Sequence, residues 1–171
     1  MGGWRPKRMM VVAMALATLV MLLSSCTVPR DGFAGVTLDE NGNALGVMRT
    51  CKHPLDGATL WSDESGGSDN PHAAVVGRWD FTDSTVTQAL TWPLGATSAA
   101  GVTAERPPEA MSPERTFTLR GWTTDNSWSV VYVRFTLSDL EQLSVGKILM
   151  REPGAEPRLV SEPEFDALIC D

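Results

Sequence analysis

The chain has 171 residues, with 14 Lys and Arg against 21 Asp and Glu, a net charge of −7, and three cysteines. Its length suits one domain that buries about two-thirds of its surface, and its acidic balance argues against nucleic acid as a partner. No Walker A motif, dinucleotide fingerprint, Gly-x-Ser-x-Gly elbow or Ser-x-x-Lys motif occurs, so no common nucleotide-binding or serine-nucleophile machinery is written in the chain.

The first twenty-six residues carry a pattern of their own. Arg5, Lys7 and Arg8 precede an apolar run from Met9 to Leu23, fifteen residues, short of the about 20 that span a bilayer. Ser24 and Ser25 are small enough to admit a peptidase, and Cys26 follows, the layout of an export signal. Leu23-Ser24-Ser25-Cys26 resembles the lipobox of bacterial lipoproteins. The resemblance implies that residues 1–25 are a signal peptide and that Cys26 carries a thioether-linked diacylglycerol. The mature protein is then extracytoplasmic and lipid-anchored to the cell membrane, two acyl chains being enough for stable attachment. Residues 26–171 hold eleven basic residues against twenty-one acidic, a net charge of −10. An anionic membrane surface repels such a domain, so the anchor must hold it there.

Residues 26–32 read as a lipidated tether reaching at most about 20 Å, and residues 33–171 as a single β-rich extracytoplasmic domain. Phe33 to Cys51 predicts a hairpin turning at Asn41-Gly42. A two-residue loop pairs Leu38 with Leu45 and Val36 with Val47, all four on one face. Ala58 to Trp61 predicts a short strand, Ser62 to His72 an exposed loop, Ala73 to Phe81 a strand with Val75, Trp79 and Phe81 on one side, and Thr85 to Trp92 a weaker strand. From Gly95 to Pro113, fourteen of nineteen residues are Ala, Gly, Pro, Ser or Thr, which predicts a long mobile excursion.

Glu114 to Thr123 and Ser127 to Leu137 alternate on either side of a Thr-Asp-Asn turn. With Trp122 facing Trp128, Phe117, Leu119, Val131, Val133, Phe135 and Leu137 form the core face. The other face carries Thr118, Arg120, Trp122, Trp128, Val130, Tyr132 and Arg134. Ser138 to Glu141 has capping-box spacing for one helical turn, and Lys147 to Arg151 returns as a strand. Ser161-Glu162-Pro163-Glu164 is a second capping box, opening a short helix to Cys170 with Phe165, Leu168 and Ile169 on one side. The fold class is mainly β, an antiparallel sandwich or partly open barrel with a short C-terminal helix. In its layout of lipobox, β-rich domain and paired cysteines, the chain is loosely similar to small lipoproteins of high-G+C Gram-positive bacteria.

Few residues invite chemistry. With Cys26 acylated, Cys51 and Cys170 read as a disulfide, against two buried thiols or a metal pair. His53 and His72 are the only histidines and lack structural-zinc spacing. Asp63, Glu64 and Asp69 sit in a Gly-containing stretch without EF-hand spacing and read as a solvated loop. No metal, cofactor or catalytic residue is assigned. The one constellation above background is Arg120, Trp122, Trp128, Tyr132 and Arg134, an aromatic and cationic face suited to stacking on sugar rings or anchoring a protein partner. The sequence therefore points to a non-enzymatic binding module for an envelope protein or glycan. The alternatives are a carrier or sensor of a small apolar ligand or lipid and, third, an extracytoplasmic hydrolase.

Overall fold

The structure is a computed structural model that describes residues 28–63, 73–82 and 89–170. Cys26, Glu64, Asp69 and His72 lie outside the described residues. The strands are β1 (Arg30–Leu38), β2 (Ala44–Thr50), β3 (Gly57–Asp63), β4 (Ala74–Phe81), β5 (Ala89–Pro93), β6 (Ser98–Ala99), β7 (Val102–Arg106), β8 (Thr116–Trp122), β9 (Ser129–Val131), β10 (Val133–Phe135), β11 (Lys147–Met150) and β12 (Arg158–Ser161). Two short helices, α1 (Leu137–Glu141) and α2 (Glu162–Ala167), interrupt the last third.

All twelve strands belong to one sheet. Its path runs β12-β11-β1-β9-β8-β3-β4-β7-β6, with β10 on β8, and β2 and then β5 on the other edge of β1. Most pairs are antiparallel, but β1 and β9 run parallel, so the sheet is mixed. Trp92 of β5 meets Trp79 and Phe81 of β4 edge-on, with ring centroids 5.8 and 5.4 Å apart. The Trp79 indole also donates to the Ala96 carbonyl at 3.1 Å. These contacts draw the far ends of the sheet together into a nearly closed barrel. Leu60, Trp79, Trp92, Leu94, Phe117, Leu119 and Phe135 fill its interior.

A smaller core lies on the outside of the barrel. Val47, Ile148, Met150 and Val160 present an apolar patch that Phe165 of α2 covers, with Leu168, Ile169 and Phe33 at its margin. The i, i+3, i+4 stripe of the C-terminal helix thus packs as its spacing predicts. Ser161 caps α2, its backbone N–H and hydroxyl both donating to the Glu164 carboxylate at 2.7 and 2.6 Å. Arg49, buried in β2, reaches out to Glu162 at 2.9 Å and Asp166 at 3.0 Å. Cys51 and Cys170 form the disulfide, their Cα atoms 5.2 Å apart.

Several local expectations change. The first hairpin closes with five residues, Asp39 to Asn43, rather than two. The Asp39 carboxylate accepts from the backbone N–H groups of Asn41 and Asn43 and from the Asn43 amide, which organises the longer loop. Leu38 therefore pairs with Ala44 and Val36 with Gly46. The one-residue slip sends Val36 to the barrel core and Val47 to the outer core. In β4 it is Val76, not Val75, that joins Trp79 inside, because the register shifts between Leu60 and Trp61 of the paired strand. The Gly95–Pro113 stretch holds the β6–β7 hairpin, tied back to β4 through pairs such as Trp79 with Ala104, and is not an excursion. Thr136, not Ser138, caps α1, its partner being Asp139.

The candidate functional site

The groove is built from outward-facing side chains of neighbouring strands. Gly57 of β3 sits between Asp80 of β4 and Trp122 of β8, and Thr59 sits between Arg78 and Arg120. Trp61 follows two residues on, opposite Thr118. Because side chains alternate along a strand, Ala58 and Leu60 point into the core while Thr59 and Trp61 point out. The turn after β8 adds Thr123, Thr124, Asn126 and Trp128, and Val28 closes the wall where the chain enters the fold. The result is an open groove of about 540 Å³, within the size range of small-ligand sites of about 300–1,000 Å³.

Three layers set the floor. The Trp122 indole lies over Gly57: a Cβ there would come within 2.5 Å of both its Cζ2 and the Trp79 carbonyl oxygen. Its Nε1–H donates to Thr59 Oγ1 at 2.9 Å. The Arg78 guanidinium stacks on the ring, 4.3 Å from the centroid, a cation–π contact, and is ion-paired with Glu105. Trp122 and Arg78 are thereby fixed to the wall. Arg120 is different: it is half-buried, and no hydrogen bond or ion pair joins it to any of the described residues.

At the rim, Trp128 stacks on the His53 imidazole with ring centroids 3.7 Å apart and planes 10° from parallel. Asp31 holds His53 in place, with Oδ2 3.1 Å from Nδ1, and the same oxygen accepts from the backbone N–H groups of Lys52 and His53. A histidine beside a carboxylate is two-thirds of a hydrolytic triad. Here no hydroxyl or thiol among the described residues bonds the imidazole, and Asp31 is spent on the turn behind the disulfide. The pair supports Trp128.

Of the five face residues read from the sequence, Arg120, Trp122 and Trp128 come together here. Tyr132 and Arg134 do not. The strand breaks at Tyr132, between β9 and β10, and its inward set changes from Val130 to Val133 and Phe135. Val130 is a core residue, which corrects its placement on the outer face. Tyr132 accepts from Arg151 Nη1 at 3.1 Å, while Arg134 and Arg151 line a separate hollow of about 330 Å³ with Asp139 and Glu156.

Sequence reading misses Trp61, Arg78, Asp80 and Glu105, which complete the groove. Their signal was the outward phase of β3 and β4, legible for Trp61 and Arg78 once Leu60 and Trp79 are assigned inward. Among the described residues no three His, Cys, Asp or Glu converge as metal ligands, and no helix is long and apolar enough to cross a membrane. Compared with family models, curated proteins and solved structures, the chain matches none. The geometry alone must carry the functional reading.

Proposed function

We propose that this protein is a membrane-anchored envelope lipoprotein, held by acylated Cys26, whose β-barrel is a non-enzymatic binding module for a protein or glycan partner. The observation that carries the reading is the groove: Trp61, Trp122 and Trp128 around Arg120, which no hydrogen bond or ion pair joins to any of the described residues, on the outer face of a barrel whose interior holds Leu60, Trp79, Trp92 and Phe117. Aromatic rings and a guanidinium are the groups that dominate binding surfaces. The packed interior favours this over carriage of an apolar ligand within the barrel. Anchoring would serve the groove by confining it to the layer where the partner lies, raising the effective concentration without a new contact.

The test is cross-linking in the native membrane, followed by identification of whatever is attached. A reproducible protein or glycan neighbour, lost in Trp61→Ala and Trp128→Ala variants that keep their thermal stability, is the expected result. An unchanged cross-linking pattern in both variants overturns the groove as the binding site.

A further inference from the structure

Resting on that reading of the groove, we infer that its ligand is an acidic saccharide, a sugar polymer bearing carboxylates, and that Arg120 reads the charge. The cationic groups of the groove are not equivalent. Arg78 is neutralised by Glu105 and lies flat on Trp122, so it shapes the wall. Arg120 stands across Thr59 from it, with its guanidinium uncommitted among the described residues. An uncommitted guanidinium fits one carboxylate in bidentate fashion.

The surroundings define the rest of the ligand. Trp61 lies diagonal to Arg120 across the β3–β8 pair, within reach for side chains of this length, and Trp128 offers the ring face that His53 does not cover. Flat apolar rings flanking a guanidinium suit the C–H face of a sugar ring whose acid group points at Arg120. Asp80, two strands from Trp122 across Gly57, forms no ion pair with any of the described residues and can accept from sugar hydroxyls. The open shape admits a polymer passing through rather than one enclosed molecule.

The experiment titrates the purified full chain with a tetramer of galacturonic acid, the same tetramer with its carboxylates methyl-esterified, and a glycerol-phosphate oligomer, following binding by calorimetry. The acidic tetramer should bind at least tenfold more tightly than the ester. Arg120→Gln should erase that difference, Arg120→Lys should restore part of it, and Trp61→Ala should weaken both sugars alike. Equal binding of acid and ester overturns the charge-reading role while leaving the groove a saccharide site. Tighter binding of the phosphate oligomer, or no binding of either sugar, overturns the saccharide assignment. The cross-linking result above stands or falls separately.

Discussion

Arg49 shows how one side chain can hold a helix. It is buried in β2, yet its two partners, Glu162 and Asp166, are more than half exposed, and it also donates to the carbonyls of Met48 and Leu90. Removing it leaves two carboxylates that water can solvate, so the loss is that of the hydrogen bonds and the packing rather than of a stranded buried charge. Arg49→Ala should cost about 2 kcal/mol, or about 4–8 °C in Tm for a domain of this size, measured by thermal melting. Gly57 is constrained differently, since a side chain there meets both the Trp122 ring and the fixed Trp79 carbonyl. Gly57→Ala should destabilise by about 1–3 kcal/mol, the usual cost of overpacking, and red-shift tryptophan emission as Trp122 lifts from the sheet.

Three exposed carboxylates have lowered pKa values for local reasons. Asn43 and Asn41 donate to Asp39, Ser127 to Asp125, and Ser161 to Glu164. A depressed folded-state pKa means the contribution is fully present above the ordinary carboxylate range and lost as pH falls through it to the lower folded value. The urea midpoint should therefore hold steady near neutrality and decline below about pH 4, with a shallower decline in Asp39→Ala. An identical acid slope in that variant would show that the loop carboxylate does not contribute.

The elements differ in how far they declare themselves. The C-terminal helix was legible because its cap, its apolar stripe and its cysteine all point to one placement, and the disulfide joins residues 119 apart in sequence. Closing so long a loop is worth about 4–5 kcal/mol on the chain-entropy account. Cys170→Ala should lower stability by an amount of that order, and amide exchange should rise first in residues 162–169. The β6–β7 hairpin was not legible, because small residues such as Ala99, Gly101 and Ala104 show no alternation. What holds it is pairing with β4, a contact between segments roughly 25 residues apart. Register was the other blind spot. Asn41-Gly42 marks the first turn but not its length, which the Asp39 carboxylate sets, and nothing local marks the break at Tyr132. Three of the five candidate face residues survived that break because Arg120, Trp122 and Trp128 all lie before it.

At the scale of the whole molecule, the proposed anchor would lie beside the groove. Val28, a wall residue of the groove, is two residues from Cys26, at most about 7 Å of extended chain. If Cys26 is lipidated as proposed, the groove would sit beside the bilayer. Cys26→Ala should shift the protein from the membrane fraction to the soluble fraction, or leave it unprocessed, when fractions are blotted; continued lipid labelling of that variant would refute the anchor.

The disulfide has a practical corollary. Cys51 donates its backbone N–H to Asp31 at 2.9 Å, and Cys170 is bonded to Cys51, so the path into the barrel and the path out of it share one pole. The nine residues of β1 then carry the Asp39–Asn43 loop about 30 Å away. An epitope inserted at Asn41 would project from the opposite pole, while one appended after residue 171 would start from the pole that the proposed anchor would hold at the membrane. Antibody access to the two positions on intact cells would turn the barrel into its own compass.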